Sequence, residues 1–125
     1  MKIIFISGPY FGDGKWETIE RNIREAEKYQ IALINKGIGA FCAHNHTEHF
    51  GSKGVNQPEE FYHELDMEFL KRACDAVVAI PGWKNSRGAV KEIDWAEKNN
   101  IKIFYLKSPE KIEEIIDWIE IQKKK

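Results

Sequence analysis

Asp75-Ala-Val-Val-Ala-Ile-Pro-Gly-Trp-Lys-Asn-Ser-Arg-Gly-Ala-Val-Lys-Glu92-Ile-Asp-Trp-Ala96 is the stretch whose reading decides the fold. Residues 75–80 turn apolar after the aspartate and are short enough for a buried strand, which Pro81-Gly82 ends. A Gly/Asn/Ser turn follows, then a helix over 88–99 that closes on Asn99-Asn100. At roughly 100° per residue, Glu92 falls between Gly88, Ala89 and Ala96, on the face that packs against a sheet. Lys91 and Asp94 point the other way. An unpaired carboxylate on an apolar stripe costs several kcal/mol, so a purely structural helix would not place one there. Glu92 is therefore the first candidate for chemistry.

The same alternation extends in both directions. Residues 2–6 read as an apolar first strand, and Ser7-Gly8-Pro9-Tyr10-Phe11-Gly12-Asp13-Gly14 as a glycine-rich loop. Residues 16–36 carry a helical stripe of Trp16, Ile19, Ile23, Ala26 and Leu33, stopped by Gly37. Residues 39–43 form a short second strand. The polar stretch 44–57 is long for a connector, which marks it as a functional loop. Pro58 in a first turn, followed by Glu59 and Glu60, opens a helix to about Ala73. Residues 102–106 make a fourth strand, and Ser108-Pro109-Glu110 caps a last helix bearing Ile112, Ile115, Ile116 and Ile119. There is no internal repeat and no linker. The order predicts one α/β domain over residues 1–125. Its architecture is an open parallel sheet of about four to five strands with helices on both faces, flavodoxin- or Rossmann-like.

Composition bounds the function. A chain of 125 residues holds one real core, and 42% hydrophobic with 31% charged residues excludes disorder and membrane embedding. A net charge of −1 excludes a general nucleic-acid footprint; Lys123-Lys124-Lys125 reads as a solvated end. The apolar start at Met1–Ile6 is too short for a signal peptide and is broken by Gly8-Pro9. Cys42 and Cys74 lack zinc spacing or a disulfide framework, so they are expected as buried free thiols in a reducing cytosol.

In such a sheet the loops after the strand C-termini converge on one edge. Gly8 to Gly14 resembles a phosphate-cradling loop without matching a standard glycine pattern, and a plain tight turn explains it equally well. The turn before 88 places backbone N–H groups at a helix start that favours an anion, with Ser86 as N-cap, ligand contact or both. A second acid comes from the helix at 58–73. Phe61, Tyr62, Leu65, Phe69, Leu70 and Ala73 define its apolar arc; Asp66 lies inside that arc and Glu68 at its border. Two acids on buried faces of neighbouring helices suit glycosyl chemistry, with one nucleophile and one group that holds or protonates the departing fragment. A structural Asp66 bonded to a nearby loop is the competing reading.

Ile6-Ser-Gly-Pro-Tyr10, His44-Asn-His-Thr-Glu-His-Phe50, Asp66-Met-Glu-Phe-Leu70 and Cys74–Trp83 with Ser86-x-Gly88-x-x-x-Glu92 resemble the nucleoside 2-deoxyribosyltransferase-like proteins, over roughly residues 2–105. The resemblance implies cleavage of the N-glycosidic bond of a nucleoside or nucleoside 5′-monophosphate, with the sugar passed to water or to another base. By it, Glu92 matches the nucleophile at C1′ and Asp66 the aspartate near the leaving base. A shifted alignment would favour Glu68, and the apolar arc selects Asp66. Ser86 matches a phosphate-contacting serine, and Gly8 a glycine whose backbone approaches the ligand. Where the nucleotide hydrolases carry a tyrosine and a phosphate-binding arginine, this sequence has Phe5 and Phe11, leaving Arg87 or Lys84 as the available cations. The acidic residue that the transferases place before the nucleophile is replaced by Lys84-Asn85-Ser86, which favours hydrolysis or binding over base exchange. The resemblance further implies a homodimer or higher oligomer, and no cofactor.

The remaining candidates are contacts to substrate. Pro9, Tyr10, Phe11, Gly82, Trp83 and Gly88 share the predicted edge, with the aromatic rings available to stack on a base. His46 or Asn45 is placed to touch base or sugar. His44-x-His46-x-x-His49 has zinc-competent spacing, but no further ligand completes a site, so no metal is expected. The expected partner is thus a small nucleoside or nucleotide, neither a nucleic-acid polymer nor a membrane. In this scheme the positive end of the helix keeps Glu92 ionised. Two rivals share the pocket: a nucleotide-binding module without turnover, and a phosphoribohydrolase acting on ribonucleotides.

Overall fold

A computed structural model describes residues 1–125. Four parallel strands, β1 (Ile3–Ser7), β2 (Gly39–Cys42), β3 (Ala76–Ala79) and β4 (Lys102–Tyr105), form one sheet in the order β2-β1-β3-β4. The register pairs Phe5 with Phe41 and Val77, and Ser7 with Ala79. Five helices accompany them: α1 (Trp16–Asn35), the single-turn α2 (Ala43–His46), α3 (Glu59–Ala73), α4 (Arg87–Lys98) and α5 (Glu113–Lys123). No helix is long and apolar enough to cross a membrane.

Alternation along each strand divides the core in two. Ile4, Ile6 and Val78 face Ala26, Tyr29 and Leu33 of α1 and Ile115 and Ile119 of α5. Phe5, Val77 and Ala79 face Leu70 of α3 and Ile93 and Ala96 of α4. Both faces of the central strands are covered, which is why β1 and β3 read as continuous apolar runs. The connection after β1 leads to one neighbour and the connection after β2 to the other, so a crevice opens between the C-terminal ends of β1 and β3.

Several local expectations change. Pro58 is the residue before α3, extended at ψ 162°, and is not a member of its first turn. Ser108 does not cap the last helix: the Lys111 N–H bonds its carbonyl in a separate turn, and α5 starts only after Ile112. The stretch 44–57 is partly regular, with α2 and a 3-10 turn at Phe50–Lys53. The apolar arc of α3 is wider than the face that packs. Only Leu70 is buried, whereas Phe61 and Phe69 are exposed at 43% and 38%, because α3 covers the rim of the crevice more than the sheet. Cys42 and Cys74 are both free, Cys42 buried and Cys74 half-buried.

Candidate active site

Ser7, the last residue of β1, is fully buried on the same face as Phe5. Glu92, on the inward face of α4, is 6% exposed and shares a 2.6 Å hydrogen bond with it, Ser7 Oγ to Glu92 Oε1. Ser7 Oγ also lies 3.5 Å from the Ala89 carbonyl. The hydroxyl can therefore donate to an ionised Glu92, or accept from a protonated one while turning its own hydrogen toward the carbonyl. Burial pushes the Glu92 carboxyl up to about 8, the Ser7 bond pulls it down, and the negative charge of Asp66 raises it again. This overturns the expectation that the helix end keeps Glu92 ionised. Glu92 is the sixth residue of α4, past the first turn where that field acts, and desolvation wins.

Asp66 stands opposite, on α3. His46, at the end of α2, donates from Nε2 to Asp66 Oδ1 at 2.8 Å. The imidazole is fixed by Phe41 at 4.9 Å and by Phe69 edge-on at 5.4 Å between ring centroids, and Phe41 and Phe69 stack on each other at 4.5 Å. Burial raises the Asp66 carboxyl above the usual range, and the bond and charge of His46 oppose that rise. Glu68, the alternative second acid, pairs with Arg72 on the exposed side of α3. The two inward acids thus have different supports: a hydroxyl for Glu92 and an imidazole for Asp66.

The loop after β1 closes the other side. Gly8 is buried, and a Cβ there would stand 2.3 Å from Ile80 Cγ1, so only glycine lets the loop pass over β3. The Pro9 carbonyl accepts from His44 Nε2 at 2.9 Å. The His44 ring is buried, which pushes it down to about 4, so it is neutral and its Nδ1 is an acceptor. That Nδ1 and the Tyr62 hydroxyl are the two buried side-chain atoms without a hydrogen-bond partner. Tyr10 meets the His44 ring edge-on at 5.9 Å. Its hydroxyl is pushed up first by burial and then by Tyr62, Asp66 and Glu48.

The other expected contacts divide. Ser86 is the N-cap of α4, its Oγ accepting from the Ala89 N–H at 3.2 Å. Gly88 lies in the first turn of α4, where a Cβ would stand 3.8 Å from His63 Nδ1 of α3. Gly82 has φ +90°, the left-handed geometry that lets the chain turn off β3 past Pro9. Trp83 is half-buried. It packs on the Val77, Ala79 and Ile93 side of the core, with Tyr105 at 5.7 Å and Lys84 Nζ over its ring at 5.8 Å. Phe11 is half exposed in its loop.

The three loop histidines go to three destinations and make no joint metal site. His49 bonds Glu20 at 2.9 Å and stacks on Trp16 at 4.6 Å. Glu20, Glu48 and His49 do approach one another closely enough to share a cation, but Arg24 already bonds Glu20, Glu27 and Glu48. Asn45 likewise turns to Glu27 and Gln30 of α1, away from the acids. Ser7 and Tyr62 were not among the residues expected at the site, and His44 was named only as a possible metal ligand. The signal for Ser7 is its place as the one polar residue closing a continuous apolar strand, on the face of Phe5.

Taken together, the molecule is an open, Rossmann- or flavodoxin-like α/β domain with one buried carboxylate, Glu92, and one partly buried, Asp66, near the topological switch point. The chain belongs to the family described as Domain of unknown function (DUF7768), whose model matches residues 2–106. The match ends just after β4, so the whole sheet and both acids lie within it and α5 lies beyond. No curated protein matches the chain.

Proposed function

We propose that this protein cleaves the N-glycosidic bond of a nucleoside or nucleoside 5′-monophosphate, with Glu92 as nucleophile. The observation that carries the reading is the buried Glu92–Ser7 pair, with Asp66–His46 on the neighbouring helix α3. A glycosyl transition state develops positive charge at C1′. A carboxylate denied water responds strongly to such a charge, so binding of the sugar favours the ionised form of Glu92, whose proton passes to solvent. Ser7 then donates to one Glu92 oxygen and the other attacks C1′. The electron pair of the breaking C1′–N bond passes to the base, whose nitrogen takes the proton of a protonated Asp66 carboxyl, leaving Asp66 as carboxylate. His46 holds the Asp66 carboxyl in place for that exchange. Water, or the nitrogen of a second base, next attacks C1′ and gives its proton to the Asp66 carboxylate, while the C1′–O bond breaks and its electron pair returns to Glu92 as carboxylate.

The test is incubation with a panel of deoxy- and ribonucleosides and their 5′-monophosphates, followed by chromatography for free base. Wild type is expected to release base and Glu92→Gln to lose several orders of magnitude in rate. A Glu92→Gln protein as active as wild type ends the mechanism. A second reading has support of its own: burial favours the protonated form of Glu92, a hydrogen-bond donor suited to a neutral ligand. That binding module would be stabilised by a nucleotide and release no base. Preference for ribose over deoxyribose 5′-monophosphates would instead mark a phosphoribohydrolase.

A further inference from the structure

Tyr62 precedes Asp66 by four residues on α3, so the two side chains leave the same face about 6 Å apart along the axis. The chain passes from Ala73 at the end of α3 into Ala76 of β3, so α3 runs against the strands and its N-terminal half stands over their C-terminal ends. Tyr62 therefore lies one turn outward from Asp66, above the crevice. Its ring meets Phe61 edge-on at 5.9 Å. Its hydroxyl is removed from water and has no partner, although a buried hydroxyl left unpaired is destabilising and is normally satisfied. Tyr10 responds electrostatically to both Tyr62 and Asp66. A phenol hydroxyl kept dry and unbonded beside a candidate catalytic acid is a binding group awaiting its partner atom.

We propose that Tyr62 sets leaving-group specificity by donating its hydroxyl to a polar edge atom, a carbonyl oxygen or ring nitrogen, of the heterocycle that Asp66 faces. The inference rests on the glycosidase reading for which fragment lies on that side. Asp66 stands by the departing base, and the residue one turn outward on the same helix face meets the base's far edge. Tyr62 is a specificity residue and takes no part in bond breaking.

Tyr62→Phe removes one oxygen and leaves the ring. Because no hydrogen bond is lost in the free protein, its melting temperature is expected to stay level or rise; a fall of several degrees would overturn the proposal by showing a structural role. On nucleoside substrates kcat/KM should drop about 3- to 10-fold, as the loss of one neutral hydrogen bond implies. On a phenyl 2-deoxyriboside, whose leaving group has no such edge, the variant should match wild type. Equal rates on every substrate, or equal losses on both leaving groups, overturn it. Calorimetry with the free heterocycles adenine, guanine, cytosine and thymine separates the two claims. A wild type that binds one of them, more tightly than Tyr62→Phe does, yet releases no base sinks the glycosidase alone. Failure of every heterocycle to bind, or identical binding by both proteins, sinks the proposal for Tyr62.

Discussion

Replacing Glu92 by glutamine should stabilise this protein, and the gain should depend on pH in a defined way. Glutamine keeps the size of the side chain and a group that can bond Ser7, but it never ionises. The wild-type carboxyl moves from an ordinary 4.5 in the unfolded chain to about 8 in the crevice. At about 1.36 kcal/mol per unit, that displacement is an ionisation penalty of about 5 kcal/mol at its limit. Below pH 4.5 both states hold the proton and nothing is lost. As pH rises from there to about 8, the unfolded chain releases a proton that the native state keeps, so wild-type stability falls; above that the full penalty applies. The stability gap, Glu92→Gln minus wild type, should thus widen with pH, by about 3 kcal/mol on reaching pH 7. Urea unfolding of both proteins at several pH values between about 4 and 9 measures it, because groups common to both largely cancel in the difference. A gap that is flat with pH, or one that shrinks as pH rises, would refute the reasoning, since it would mean that Glu92 is already a comfortably solvated or paired anion.

Other consequences are smaller. His44 is buried neutral, its ring pushed down from 6.5 to about 4, so it contributes stability that is present above the first value and lost as pH falls to the second. His44→Gln should flatten the acid limb of the stability profile between those values; an unchanged acid limb contradicts the assignment. Gly8→Ala drives a methyl to 2.3 Å from Ile80 Cγ1 in a packed edge. It should cost about 1–3 kcal/mol and depress activity together with stability, as urea midpoints and base release would show. Ser7→Ala leaves Glu92 buried without its 2.6 Å partner. The carboxyl should titrate still higher, so kcat/KM should need a more alkaline pH to reach its plateau, and a pH–rate profile identical to wild type contradicts that role.

The strands were legible because each is an apolar run bounded by breakers. Expected strand 39–43 became Gly39–Cys42, and 75–80 became Ala76–Ala79, shifts of a residue at either end. Glu92 was legible because helical periodicity alone put it on the sheet side of α4, and it is buried there. Asp66 was placed correctly by an arc that was itself too wide, since periodicity reports apolar residues and not how much of a helix its neighbours cover. What could not be read is anything decided by contacts distant in sequence. Ser7 meets Glu92 across 85 positions, and the three histidines of one short segment separate toward Pro9, Asp66 and Glu20. Trp83 looked available from its position in a loop, and packing against Tyr105 and the core half-buries it. The charge state of Glu92 was misjudged for a related reason: a helix-end field is visible in sequence, whereas the depth of burial that outweighs it is not.

The most direct test of the central claim is chemical trapping at Glu92. Wild-type protein quenched during turnover of a deoxynucleoside 5′-monophosphate, digested and read by mass spectrometry, should carry a deoxyribosyl phosphate ester on the peptide containing Glu92, absent from Glu92→Gln. Base released with that peptide unmodified at every quench time, and the sugar found on another residue, would contradict the account.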